Sequence, residues 1–377
     1  MTLGVDVSRL QGPRTGVGRY VEYLVHAWAR QPLPFERLRL FSRTPILDLP
    51  GGDRLSPEVL PSRFGGIWWQ TVRLAPAAGR ESVLLSFYTL PPRGRPPSVL
   101  VNQGVLVGPY AETAGPRARA RAKHIGWSAR NAELVVTHSL TTRDDLTLHF
   151  GVDAGKVRIV KPGLAPLFRS SGQDERVRAE VTRRLGEDAP YFLFVGKLSP
   201  RRHVPALVEA FAGVAEMHPE YRLLLVGPSA LEEPVEELAQ RAGVAGNVVR
   251  LPYLDLEELA LLYRGARALV WPSEREGFGH PILEAMGCGC PVAVLEHASL
   301  GVLDWAPEPG DRSSVLGVPS PAPAALREAL VELVENDALH ASLAQRGSAF
   351  AATFPTWEEH AAELMETLGA FAEASGR

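Results

Sequence analysis

Residues 271–291 read Trp271-Pro-Ser-Glu-Arg-Glu276-Gly-Phe-Gly-His-Pro-Ile-Leu-Glu284-Ala-Met-Gly-Cys288-Gly-Cys290-Pro. The apolar run 268–271 has the character of a short buried strand, and the glycine-rich stretch after it breaks that pattern. Pro281 then stands at an early helical position, where its missing N–H costs nothing. Strand, loop and helix in this order open a βαβ unit, and residues 292–295 supply the next strand. A helix starting beside Gly277, Phe278, Gly279 and His280 offers unpaired backbone N–H groups at the strand end, a site for an anion such as a diphosphate. Glycine suits the loop because a Cβ would hold phosphate oxygens away. Two carboxylates stand eight positions apart. Glu276, in the loop, is placed to reach a sugar's hydroxyls. Glu284, further into the helix, is placed to accept both hydroxyls of a ribose, since carboxylates are acceptor-only and bidentate. The plainer reading of the same residues is a structural connection with Glu284 in a charge pair.

The same alternation continues in both directions. Strands are expected at 3–7, 38–41, 83–86, 98–101, 134–137 and 157–160, with helices at 18–30, 65–75, 116–131 and 141–150. A second series follows, with strands at 191–195, 222–226, 248–251, 268–271 and 292–295 and helices at 205–217, 232–241, 256–264 and 281–287. Between them, Lys161-Pro162-Gly163 and the polar stretch 169–175 carry the marks of a linker. The tail, at 324–336, 338–352 and 357–375, is helical throughout. The pattern is that of two doubly wound α/β domains, 1–165 and 166–354, followed by a terminal segment 355–377. Ligands of such sheets lie outside the carboxyl ends of the strands, which here puts the expected site in an interdomain cleft.

Composition agrees with two ordinary globular domains. The chain has 377 residues, 45% apolar and 22% charged, more than one hydrophobic core usually spans. Mean hydropathy is −0.03 and no apolar run approaches the ~18 residues of a membrane-spanning helix. With no basic segment leading an apolar one at the N-terminus, a cytoplasmic location is expected. A net charge of −3 argues against nucleic acid as a partner. Cys288 and Cys290 fit neither a disulfide framework nor a zinc site and read as small residues in a packed turn. No D-x-D, H-x3-H, H-E-x-x-H or G-x-S-x-G pattern occurs, so no metal and no serine nucleophile is expected.

Two further segments bear on anions. Tyr191-Phe-Leu-Phe-Val-Gly196-Lys197-Leu-Ser-Pro-Arg201-Arg202-His203-Val is a buried strand ending in glycine, then a basic loop, then a helix. Fixed positive charge at that strand end would stabilise a departing nucleoside diphosphate. Solvated surface arginines are the alternative, and Arg201 is read that way, with His203 as a helix-start residue. Near the N-terminus, Thr15-Gly16-Val17-Gly18-Arg19-Tyr20 lies between a strand and a helix but lacks the third glycine of a dinucleotide fingerprint.

Residues 271–291 resemble the E-x7-E motif of family 4 (group 1) retaining glycosyltransferases, including its PSxxEGFGxPxLEAMxxGxPV context. Residues 195–203 resemble that family's VGRLxPxKN stretch, with Lys197 for its Arg and Arg202 for its Lys. Residues 15–20 resemble its TGIGRY element, with Asp6 upstream in a VDxxRL context. Segments 132–146, 157–168 and 253–268 also match, so the likeness covers most of residues 1–375 and is densest between 191 and 295. It implies a GT-B fold, with two facing Rossmann-like domains, the nucleotide sugar in the second, and the terminal helix packing back on the first. It implies catalytic roles for Glu276, Lys197 and Arg202, and donor contacts from Gly16, Gly18, Asn102, Gly277, Phe278, Gly279 and Glu284. The implied reaction is metal-independent transfer of a hexose-type sugar, with retention, by front-face displacement. The donor is a nucleoside-diphosphate sugar, used as co-substrate with no other cofactor. The acceptor is a carbohydrate or a lipid-linked one, as in polysaccharide biosynthesis.

The likeness breaks at two places. A His-Asp pair usual in the family is replaced by Asn102-Gln103, which can donate a hydrogen bond but cannot carry a proton. An acidic position usual after the following strand falls near Gly301, in Ser299-Leu-Gly301-Val. These keep open a non-catalytic or partner-dependent relative that binds nucleotide sugars. A sugar-nucleotide epimerase would need acids not found here, and a phosphorylase-like enzyme would need a lysine for a pyridoxal group. Arg117, Arg119, Arg121, Lys123 and Arg130, with Trp127, read as a solvated helical face. The other reading is a membrane-surface patch giving peripheral association with the inner face of the plasma membrane. Trp68-Trp69 reads as packing rather than an acceptor platform.

Overall fold

The computed structural model describes all residues except 13–15, 51, 105–114, 170, 173 and 377 and the side chain of Arg117. The chain forms two compact units, Met1–Gly163 with Pro355–Arg377, and Leu164–Phe354.

The first unit holds a parallel sheet of β1 (Thr2–Asp6), β2 (Arg37–Ser42), β3 (Leu55–Val59), β4 (Val83–Phe87), β5 (Ser98–Val101), β6 (Leu134–Thr137) and β7 (Val157–Ile159). Their order is β3-β2-β1-β4-β5-β6-β7. β4, β5 and β6 are buried at every residue, as strands covered on both faces must be. Strand order reverses between β1 and β4, and that switch point is where sheets of this kind open a crevice for ligands.

The second unit repeats the plan. β8 (Tyr191–Val195), β9 (Arg222–Val226), β10 (Val248–Leu251), β11 (Ala268–Trp271), β13 (Val292–Leu295) and β15 (Leu316–Val318) form a parallel sheet ordered β10-β9-β8-β11-β13-β15. Its switch point lies between β8 and β11, which pair at Ala268 with Phe192 and Leu269 with Leu193. The short strands β12 (Arg275–Glu276) and β14 (Ser299–Leu300) pair with each other outside it.

The helix Trp357–Ala374 belongs to the first unit. Trp28 Nε1 donates to Ala361 O at 3.0 Å, and His360 lies 2.8 Å from Lys161 O through Nδ1 and 2.9 Å from the Tyr20 hydroxyl through Nε2. A carbonyl only accepts, so Nδ1 carries the proton and Nε2 accepts from Tyr20. A Cβ on Gly163 would stand 2.7 Å from Trp357 Cα and 2.8 Å from Thr356 O, so only glycine allows the two chain segments to lie together here.

Some elements differ from the sequence pattern. β3 carries Pro57 and buries only Leu55, which an edge strand tolerates and a periodicity search does not register. β15 is three residues long and sits among prolines and glycines. The helix Glu175–Leu185 runs on from the expected linker, capped by Asp174 and Gly186 and burying only Val177, Glu180 and Val181. The expected helix 65–75 is Gly66–Trp69, then a π-turn Gln70–Leu74, then Ala75–Ala78. Cys288 and Cys290 are buried and unbridged, and burial pushes both thiols up. Among the described residues no helix is long and apolar enough to cross a membrane.

Burial pulls the His360 imidazole down to about 4, against the partial support of its bond to Lys161 O. Unfolding restores an ordinary value, so the unfolded chain takes up more protons and stability falls as pH drops from about 6.5 toward 4. Urea unfolding of the wild type is expected to lose on the order of 3 kcal/mol across that window from this group. His360→Gln, which does not titrate, is expected to lose less over the same range. Equal losses would assign the acid sensitivity to other groups.

Candidate active site

The carboxyl ends of β8 and β11 bring the two sequence motifs together. After β8 the chain passes through Gly196 at φ +142° into Lys197 and a 3-10 turn, Pro200–Arg202. A Cβ on Gly196 would meet Arg202 Nη1 at 2.5 Å, so glycine leaves the room that guanidinium occupies. Arg202 lies over the Trp271 ring, 4.8 Å from its centroid, a cation–π arrangement. Trp271 is buried and stacks on Phe194.

Arg202 reaches Glu276 with two nitrogens, Nε to Oε1 at 2.8 Å and Nη2 to Oε2 at 3.2 Å. Arg201 Nη2 adds a contact to Oε1 at 3.2 Å, and the Ser273 hydroxyl donates to the same oxygen at 2.8 Å. Arg201 also donates to Arg275 O. Burial by itself would raise the Glu276 carboxyl, but the two guanidiniums and the Ser273 hydrogen bond outweigh it and hold the group below its ordinary value. Glu276 is therefore a fixed negative charge bound by two positive ones. Its backbone is fixed too. It lies in β12, Ser299 N donates to Glu274 O and Gly301 N to Glu276 O, so the segment without the family's usual acid supports the loop from the main chain.

Gly279, at φ +100°, caps the helix His280–Gly287. The Phe278 side chain turns inward, 3% exposed, against His280 and Phe354, so only its backbone is left for a ligand. Glu284 lies on the same helix and takes a hydrogen bond from the Tyr263 hydroxyl at 3.1 Å. Burial first, then the Glu284 charge, keeps Tyr263 protonated and hence a donor. Lys197 is exposed, its carbonyl facing Arg202 Nη1. His203 takes the left-handed position at the start of the helix Val204–Met217 and meets Glu274.

Lys197, Arg202, Glu276, Gly277, Gly279 and Glu284 thus share one end of the second unit. Gly16, Gly18 and Asn102 belong to the first. Gly16 caps the helix Val17–Trp28 and Gly18 is buried in its first turn, while Thr15 lies outside the described residues. Asn102 follows β5, fully buried, with Oδ1 accepting from Gly104 N at 3.0 Å in a side-chain turn. The sequence reading missed Arg201, which is part-buried and paired rather than solvated, and also Ser273, Trp271 and Tyr263. Ser273 and Tyr263 fall inside the PSxxEGFG and LYxxA stretches, so their positions carried a signal. Arg201 carried none beyond its charge.

Two doubly wound parallel sheets in one chain, with a basic loop and a glutamate loop meeting at the second sheet's switch point, are the elements of a GT-B fold. Residues 178–350 match the sequence model of the glycosyl transferases group 1. Among curated proteins, a D-inositol 3-phosphate glycosyltransferase of Salinispora arenicola is 27% identical over 419 residues, spanning 100% of this chain and 92% of that one. The sucrose-phosphate synthase of Thermosynechococcus elongatus superposes with TM-score 0.78 at 20% identity over 99% of both chains. Anabaena HepE, in complex with UDP and glucose, superposes with TM-score 0.73 at 17% identity over 98% of this chain and 99% of that one. These likenesses make the chain a glycosyltransferase, and its residues 178–350 carry the group 1 sequence pattern.

Glu276→Gln would leave two part-buried guanidiniums without their counter-charge. The expected cost is roughly 1–3 kcal/mol of stability in the second unit, seen as a lower melting temperature. A Glu276→Gln protein as stable as the wild type would show that the pair contributes nothing to folding.

Proposed function

We propose that the chain transfers a hexose-type sugar, with retention and without a metal ion, from a nucleoside-diphosphate sugar held by the second unit to a carbohydrate or lipid-linked acceptor. The observation that carries this reading is the Glu276 carboxylate held by Arg202 and Arg201 at the switch point, beside a glycine-capped helix start and Glu284. Lys197, Arg201 and Arg202 supply positive charge to the leaving diphosphate, and the helix start adds backbone donors. Glu276 is held ionised, which suits it to accept hydrogen bonds from the donor sugar and not to act as a general acid. Glu284, oriented by Tyr263, accepts the ribose hydroxyls. With the Glu276 carboxylate engaged by Arg201 and Arg202 and so a poor nucleophile, the diphosphate itself takes the acceptor's proton as the glycosidic bond forms on the face it leaves.

Peripheral membrane contact belongs to the same reading, but at a different surface from the basic helix. Phe64, Ile67, Trp68 and Val72 are between 45% and 59% exposed, next to exposed Arg63 and Arg73. Apolar anchors with flanking cations suit an anionic lipid surface. Cosedimentation with phosphatidylglycerol vesicles is expected to fall sharply in a Trp68→Ala, Ile67→Ser variant; unchanged sedimentation would remove this surface from the proposal.

The donor reading is tested by a metal-free thermal-shift screen against UDP-, GDP-, ADP- and TDP-sugars on the wild type and on Glu284→Ala. Stabilisation by one nucleotide series, weakened in the variant, names the base and supports the ribose role. A well-folded protein that responds to none counts against it, and binding without turnover moves the chain to the non-catalytic relatives.

A further inference from the structure

Three consecutive residues of the basic turn reach three consecutive residues of the glutamate loop. Arg201 donates to Arg275 O and to Glu276, and Arg202 grips Glu276 through both oxygens. His203 Nε2 lies 3.0 Å from Glu274 Oε1. A carboxylate only accepts, so Nε2 carries the proton and donates it to this bond. The two arginines hold the clamp on Glu276, and His203 stands outside it. Among the described residues the Glu274 carboxylate has no other side-chain partner.

Both ends of the His203–Glu274 bond are anchored by main chain. Glu274 O accepts from Ser299 N at 2.8 Å, and Glu276 O, two residues on, accepts from Gly301 N at 3.2 Å. His203 donates its own N–H to Pro200 O at 2.9 Å, and its carbonyl accepts from Leu207 N at 3.0 Å. It thereby opens the helix Val204–Met217, in which Val204 and Leu207 are fully buried. Among the described residues only Tyr88 and His203 are non-glycines in the left-handed region, His203 at φ +46°. Such a conformation is strained for a residue with a Cβ and persists where its surroundings impose it. The His203 side chain is 21% exposed, although that of Glu274 is 48% exposed. Starting the helix needs only the His203 backbone. Folding the ring onto the neighbouring loop gives up side-chain freedom, and it ties the turn to that loop.

What the tie fixes is a direction. Arg202 commits Nε and Nη2 to Glu276, while Nη1 has only the Lys197 carbonyl, at 3.4 Å. Nη1 is therefore the nitrogen that Glu276 leaves to a ligand. A guanidinium is a planar fork, so its aim follows the turn that carries it. We propose that His203 and Glu274 form a positioning pair that keeps the turn Pro200–Arg202 in register with the glutamate loop, so that Arg202 meets the β-phosphate of the donor. The pair rests on the reading of the second unit as the nucleoside-diphosphate-sugar site, and it acts through Arg202 without touching the donor. It also gives a use to His203, which the sequence pattern left as a helix-start residue.

The whole chain is titrated by calorimetry with UDP and UMP, with inorganic pyrophosphate as a third probe. GDP and GMP, ADP and AMP, or TDP and TMP replace the uridine pair if one of those bases is the one that stabilises the wild type. His203→Asn keeps a residue that tolerates the left-handed backbone but is too short to reach Glu274. Glu274→Ala removes the acceptor, whereas Glu274→Gln keeps an oxygen that accepts from Nε2. His203→Asn and Glu274→Ala are each expected to raise the diphosphate Kd about tenfold while the monophosphate Kd stays within about twofold. Glu274→Gln is expected to bind both as the wild type does, and the double variant to bind the diphosphate no worse than either single one. A ratio of diphosphate to monophosphate affinity that neither variant changes overturns the pair. So do equal losses for both nucleotides, or fully additive losses in the double variant. A wild type that binds no nucleotide overturns the donor reading instead, and pyrophosphate then decides the pair. Pyrophosphate binding weakened by His203→Asn and Glu274→Ala but not by Glu274→Gln supports it, and binding that is absent or unchanged overturns it.

Discussion

The Glu276 carboxylate is gripped by Arg202 through both oxygens and by Arg201 and Ser273 through one. Much of the second unit's strand-end geometry exists so that this can happen. Gly196 leaves the space that the Arg202 guanidinium fills, and the Trp271 ring lies beneath it. The β12–β14 pairing holds the glutamate's backbone from the other side. A charge cluster so little exposed is worth having only if its members are matched, because an unmatched buried charge costs several kcal/mol. The same cluster holds the Arg202 guanidinium in a two-pronged grip on a carboxylate, so its planar fork is already fixed in direction.

The two units repeat one strand order but differ in what stands at the switch point. The second offers guanidiniums already neutralised by a carboxylate. At the first, the Asp6 carboxylate lies near Arg9 and takes hydrogen bonds from Ser8 N and Gln70 Nε2. A shared strand order therefore carries different chemistry at its two switch points, which is the expected way for one fold to divide its tasks.

What was legible in the sequence was short-range. The buried strands read directly as apolar runs, and the E-x7-E loop reads as strand, glycine and helix start because the residues that define it are contiguous. Arg201 was read as solvent-facing because its partner lies 75 positions away. Tyr263 lay inside a recognised stretch, yet its bond to Glu284 crosses from one helix to the next. Trp68-Trp69 looked like a packing pair. Only Trp69 packs, with Nε1 on Leu60 O, while Trp68 faces outward, and the π-turn that follows shifts the helical period carrying Val72 to the surface. β3 and β15 were invisible for a related reason. One is an edge strand with a proline and the other a three-residue strand, and neither has a pattern of its own.

The helix Trp357–Ala374 belongs to the first unit although nearly two hundred residues of the second precede it in the chain. On the ribosome the order of completion is therefore inverted. The second unit, continuous in sequence, has all its residues once Phe354 has emerged, whereas the first must wait for its last helix with Tyr20 and Trp28 uncovered. During that interval the nascent chain exposes an apolar groove along the helix Val17–Trp28, the kind of surface that chaperones bind and that aggregation exploits.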